Sequence, residues 1–153
     1  MTQKTISAAS IAAVVGVIDP DVTAAGTVTT GWISMAMFQE VQAIVLVGTL
    51  GSSATIDAKI EQATDGSGAG AKDVDGLAIT QLTQAGTNDS DKQAVLELSA
   101  EDLDVNNNFS HARLSVTVGT ASSDVGAVVM GMSPRYDAAY VNDLASVAEI
   151  VRA

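Results

Sequence analysis

Four sets of residues in this chain have types and spacings that could support chemistry. His111 stands two residues before Arg113 in an alternating run. An imidazole acts as a general base when a partner within hydrogen-bond reach orients it. The chain has many Asp and Ser residues, but no nucleophile-elbow pattern places one beside His111, so it reads as an exposed or interface histidine. Asp73-Val74-Asp75-Gly76 begins like a calcium loop. Such a loop needs further oxygen ligands and a bidentate glutamate at its twelfth position. Counted from Asp73, that position is Gln84, which offers no carboxylate. Two acidic groups, Asp89 with Asp91 and Glu101 with Asp102 and Asp104, read as solvated turns. Gly66, Gly68 and Gly70 in the stretch GSGAG resemble a phosphate cradle. A P-loop, however, closes on Gly-Lys-Ser/Thr and opens a helix, whereas Lys72 is followed by Asp73 and a strand-like segment. Glycine there permits unusual backbone angles and close approach of a partner.

Composition narrows the chemistry further. There is no cysteine, one histidine and one tryptophan in 153 residues. Disulfides, thiol catalysis and cysteine-based zinc sites are thereby excluded. The expectation is a protein that is no enzyme, carries no cofactor or metal, and works by packing against other molecules. Eighteen acids against seven bases give a net charge of −11. That field repels nucleic acid and anionic lipid and favours basic partner surfaces. The hydrophobic fraction is 47% while aromatics make up 3%. Ala, Val, Ile and Leu must therefore build the core, which suits closely packed sheets.

The elements that would position these residues are mostly strands. Residues 11–18 form a short apolar run ended by the turn signal Asp19-Pro20-Asp21. The start MTQKTISAASIAAVVGVIDP loosely resembles a secretory signal. Ser7, Ser10 and Gly16 interrupt it, so 11–18 is taken as a strand or docked arm. No run approaches the ~18 apolar residues of a membrane helix. Residues 27–38 are strand-like with a bend at Gly31, and 41–49 read as a buried strand. Segment 55–63 alternates cleanly, with Ile56, Ala58, Ile60 and Gln62 on one face. A glycine-rich loop over 65–75 follows, then a strand at 78–83 and a polar turn at 85–91. Segment 93–99 alternates again, and Ser99 could cap a short turn ending at Asp102. Asn106-Asn107-Asn108 is a turn. Segment 109–120 alternates Ala112, Leu114, Val116 and Val118 against His111, Arg113, Ser115 and Thr117. Ser122-Ser123-Asp124 turns the chain into an apolar strand at 125–132. Met35, Met37, Met130 and Met132, in pairs at strand spacing, read as adaptable core or interface filler. Leu144, Val147 and Val151 fall at helical spacing behind Asn142 or Asp143, though an extended arm fits equally.

Three stretches carry a resemblance: TIDAKIEQATDGSGAGAKDVDGLAITQLTQAG, DKQAVLELSAEDLDV and FSHARLSVTVGTASSDVGAVVMGMSPRYDAA. An alternating strand, a glycine loop, an Ala-Ile-Thr-Gln strand, a Leu-Asp-Val…Phe turn and a late Arg-Tyr resemble small structural proteins of tailed bacteriophages and prophages. The resemblance implies a virion component with no catalytic residues. A further step places it on the capsid exterior as a decoration or cement protein, made in the host cytoplasm.

The expected fold is all-β: an antiparallel β-sandwich or barrel of about eight strands with a short C-terminal helix or arm. One β-rich domain would cover 1–153, with 1–18 as an N-terminal arm or strand and 134–153 as a C-terminal arm. The expected partners are the major capsid protein or other virion proteins and further copies of the chain, as a trimer. Contact is expected through 6–18, the glycine loop and 135–151. The residues singled out are Ile11, Val14, Val17, Gly66, Gly68, Gly70, Arg135, Tyr136, Tyr140, Leu144, Val147 and Val151. Two alternatives stand beside this reading: a tail-tube, connector or fibre component, and a secreted module binding calcium or glycans through its acidic turns.

Overall fold

Period-two alternation becomes a two-layer sandwich. The structure, a computed structural model, describes residues 6–152. Residues 1–5 and Ala153 fall outside that description, including the lysine-bearing start of the signal-like stretch. After a four-residue helix at Ala8–Ile11, ten strands follow: β1 (Ala12–Thr23), β2 (Gly26–Thr29), β3 (Ile33–Ser34), β4 (Phe38–Val47), β5 (Thr55–Ala63), β6 (Lys72–Ala78), β7 (Leu82–Thr83), β8 (Gln93–Ser99), β9 (His111–Gly119) and β10 (Ser123–Pro134).

The pairing is nested. β5 pairs with β6 and β7, β4 with β8, β9 with β3 and β2, and β10 with β1, all antiparallel. The chain is thus one long two-stranded ribbon folded back at 64–71. The ribbon then rolls up, so that β10 meets β4 and β9 meets β5. The first sheet has the order β1-β10-β4-β8, and the second β2-β9-β5-β6 with β3 and β7 as short additions. Because β2 with β3, and β6 with β7, share strand positions, the ten segments fill eight places. Thr30 joins β2 to β3: its hydroxyl accepts the Leu114 N–H at 3.1 Å, keeping the β9 ladder satisfied across the break.

One core lies between the sheets. Val41, Ala43, Val45 and Val47 face inward from β4, and Ile56, Ala58 and Ile60 from β5. Leu114, Val116, Val118 and Val129 meet them, all at most 1% exposed. Each such aliphatic side chain stabilises the fold by ~1.5–3 kcal/mol relative to exposure.

Three expectations are corrected and one open choice is resolved. Asp19-Pro20-Asp21 is no turn. It lies inside β1, where the register against β10 slips between Ile18 and Asp21. β1 is an edge strand, so the missing Pro20 N–H leaves no central ladder bond open. Gly126 opposite has no side chain, and a Cβ there would sit 2.8 Å from the Pro20 Cα. The 41–49 run is buried on one face only: Leu46 remains 47% exposed, because nothing among the described residues covers the outside of the first sheet there. The glycine loop ends earlier than its composition suggests, since Asp73-Val74-Asp75 already alternates within β6, with Val74 buried. Of the two C-terminal forms, the arm is observed. A 3₁₀ turn at Ala139–Asn142 leads into extended chain, because the edge of β1 offers it partners: the Val14 N–H donates to Asp143 Oδ1 at 2.6 Å and the Leu144 N–H to the Val14 carbonyl at 2.8 Å.

Candidate interaction surface

The outward residues of the two sheets differ in kind. On the second sheet they are polar and mutually engaged. Arg113 Nε donates to Glu61 Oε2 at 2.8 Å, and its guanidinium stacks 4.4 Å from the centre of the Trp32 ring. Lys59 Nζ bonds Asp73 Oδ1 at 2.6 Å and lies 3.5 Å from Glu61. The Asp73 hydrogen bond, above all, raises the Lys59 pKa. Thr27 and Thr117 share a hydroxyl hydrogen bond of 2.8 Å.

The glycine loop folds onto the end of this face. Asp65 accepts the backbone N–H groups of Ala69 and Ser67, which hold its carboxyl below the ordinary value. Gly68 has φ +87°, and a Cβ there would meet the Trp32 indole nitrogen at 2.6 Å, so only glycine lets the loop close on this ring. Gly66 abuts the His111 ring and Gly70 the Phe109 ring. The Nδ1 of His111 shares a 2.9 Å hydrogen bond with the Ser110 hydroxyl, and among the described residues no carboxylate hydrogen-bonds the ring. Lys72 bonds Asp104 at 2.6 Å and lies over Phe109. That bond first, and Asn107 second, depress the Asp104 carboxyl.

The acidic turns are likewise occupied by their own surroundings. Asp89 accepts from Lys92, from the Thr83 N–H and from the Thr87 hydroxyl, and Lys92 chiefly pulls its pKa down. Asp102 accepts the Ser99 N–H at 2.9 Å, closing the turn that Ser99 begins. Asp73 and Asp75 flank the buried Val74 on a strand. Among the described residues, no three His, Asp or Glu side chains converge as metal ligands.

The first sheet presents an apolar outer face. Register sets Val128 beside both Val17 and Ile44, and Ile44 beside Val95. Met130 lies beside Val14 and Gln42. Val95 is 55% exposed and Leu46 47%. Among the described residues, one side-chain hydrogen bond crosses the strands of this face, from Gln42 Nε2 to Glu97 Oε1 at 2.8 Å. β8 pairs with β4 only, so its other edge carries no strand among the described residues.

The residues singled out from sequence scatter over the molecule. Val14 and Val17 lie half-buried on the apolar face. Val147 joins Val14, Met130 and Ile150 in a trough of about 290 Å³ beside it. Ile11 is the last residue of the neighbouring helix and exposed, and Leu144 is tied to β1. Arg135 and Tyr136 stand exposed beyond β10, and Val151 near the described end. The Tyr140 ring lies 4.7 Å from the Arg152 guanidinium. The three glycines sit on the folded-back loop beside Trp32, Phe109 and His111. Sequence reasoning missed Ile44, Leu46, Val95 and Val128. The available signal was Val95, a branched aliphatic on the otherwise polar side of an alternating strand.

The nested pairing and the two four-strand sheets define a jelly roll, an architecture found in viral capsid domains, lectins and cupins. No protein-family model matches the chain, and no curated protein does. Several solved virus structures show a distant likeness to the chain. Infectious bursal disease virus, Gt strain, gives 12% identity and a TM-score of 0.42 over 84% of this chain and 33% of that one. Broad Bean Stain Virus gives 12% and 0.38 over 76% and 62%. The empty virus-like particle of Cowpea Mosaic Virus gives 11% and 0.41 over 91% and 88%. The chain therefore spans a third of the first of these proteins and less than two thirds of the second. Likeness at this level adds nothing to the two-sheet architecture described above. No helix among the described residues is long and apolar enough to cross a membrane.

Proposed function

We propose that this chain is a structural component of a virus particle, a decoration protein on the outside of a phage shell. It acts as a trimer, binds the major capsid protein and ties neighbouring shell subunits together. The supporting observation is the asymmetry of the sandwich, with one outer face closed by its own ion pairs and hydroxyls and the other left apolar and open. Contiguous apolar surface of that kind marks an interaction site. The mechanism is area: apolar burial contributes about 25 cal/mol per Å² before the costs of association. The acidic charge suits a position away from packaged nucleic acid. Quantitative mass spectrometry of purified particles tests the reading. The chain is expected at a copy number comparable to that of the shell protein, and its absence from particles would refute the assignment.

The open edge of β8 favours a second reading, a tube, connector or fibre component built by adding strands from copy to copy. Rings or tubes formed by the isolated chain would select it.

A further inference from the structure

The apolar face of the first sheet has a rim of one sign. Three shallow depressions surround or enter it. The first is lined by Glu40 and Glu97, the second by Asp91 and Asp124, and the third by Asp143 and Glu149. Among the described residues, no lysine or arginine lines any of them. Of the bases among the described residues, Lys59, Lys72, Lys92 and Arg113 are in ion pairs, Arg152 lies over Tyr140, and Arg135 stands exposed beyond β10. Between the depressions run Val17, Val128, Ile44, Leu46 and Val95. The face is thus an apolar centre in an acidic frame.

We infer that this face binds a protein surface of the complementary kind, an apolar patch flanked by lysine or arginine side chains. This deepens the assignment to a particle by specifying the chemistry its partner must present. A second copy of the chain fits poorly, because face-to-face stacking would set acidic rim against acidic rim in molecules of net charge −11. A basic frame around the partner's patch would instead steer the encounter and fix its orientation. Binding should therefore weaken as salt rises, which a purely apolar contact would not do.

Two arms test this. In the first, purified full-length chain is added to particles produced without it, and co-sedimentation is measured. Leu46→Glu with Val95→Glu is expected to lower affinity at least tenfold. Glu97→Lys, which leaves the apolar centre intact, is expected to lower it severalfold. Thr117→Glu on the opposite face is expected to change nothing. Wild-type binding by the Leu46→Glu, Val95→Glu variant would overturn the inference, as would tighter binding by Glu97→Lys. In the second arm, amide resonances of the isotope-labelled chain are followed during titration with a peptide of alternating leucine and lysine. Its leucine–glutamate counterpart serves as control. Shifts confined to β4, β8 and β10, seen only with the basic peptide and reduced by salt, support the inference. No shift, shifts elsewhere, or an equal response to both peptides overturns it. Self-association that Leu46→Glu abolishes would make a second copy the occupant and overturn it as well. If wild-type chain fails to bind particles, the virion assignment falls, and the peptide arm alone decides the chemistry of the face.

Discussion

At the middle of the second sheet's outer face, Arg113 is held between Glu61 and the Trp32 ring. At the corresponding place on the first sheet, Val128 stands beside Val17 and Ile44 with no cover among the described residues. Both faces are built from alternating strands around the same core, so neither backbone nor inward residues distinguish them. The outward residues alone do. Polar groups on the second sheet satisfy one another and leave little for a partner to gain. Aliphatic groups on the first leave hydrophobic area exposed to water. A protein can therefore separate the work of folding from the work of binding by assigning them to different parities of its strands.

That separation makes ordered predictions. The largest effect should come from the interior that both sheets share. Leu114→Ala is expected to cost ~2–5 kcal/mol by urea unfolding, through lost transfer free energy and the cavity left behind. Val45→Ala, from the opposite sheet, should also destabilise, by a smaller amount because fewer carbons are removed. On the self-satisfied face, Arg113→Ala leaves Glu61, whose side chain is 15% exposed, without its main partner. A cost of ~1–3 kcal/mol is expected in the same assay. Equal stability of that variant and wild type would mean that the ion pair is ornamental.

The depressed carboxyls of Asp65, Asp89 and Asp104 give the next effect. A folded-state pKa below the unfolded one contributes stability that is complete above the unfolded value, about 3.9, and is lost as pH falls through the lower folded value. The urea midpoint should therefore drop on acidification below about pH 5. Asp89→Asn should make that pH dependence shallower. The smallest effect belongs to the open face. Leu46→Glu should shift stability by no more than about 0.5 kcal/mol, since about half of the residue is already exposed to water. A loss as large as that of Arg113→Ala would show that the face is internally packed, and the contrast between the sheets would disappear.

Much of this was readable from residue order. Segment 55–63 coincides with β5, and the alternation of Ala112, Leu114, Val116 and Val118 announced the inner face of β9. Local rules failed where a distant neighbour decided the outcome. Asp19-Pro20-Asp21 signals a turn until an edge position with Gly126 opposite accommodates it in a strand. Leu144, Val147 and Val151 have helical spacing, yet the free N–H and carbonyl of Val14, about 130 residues away, draw this segment out as an arm. The glycines of the 64–71 turn carry no local sign that Trp32 and His111 would press against them. The open face was least legible, because an apolar run such as 41–47 does not say whether one or both of its sides will be covered. Strand order decides that.

The fold-back of the ribbon also sets a timetable. Contacts near its tip close short loops, as between Lys59 and Asp73, 14 residues apart. Farther along, partners are separated by 55 residues at Gln42 and Glu97 and by 90 at Thr27 and Thr117. Closure entropy grows with each step, and chains dominated by such distant pairings fold slowly. Acquisition of structure should therefore begin at β5–β6 and travel outward, with β1 docking on β10 last. Kinetic φ-values should fall from Ile60 toward Ile18 along the same path. A nascent molecule would meet water with its last ladder unzipped, and crowding of copies at that stage favours exchange of β1 between neighbours over orderly closure.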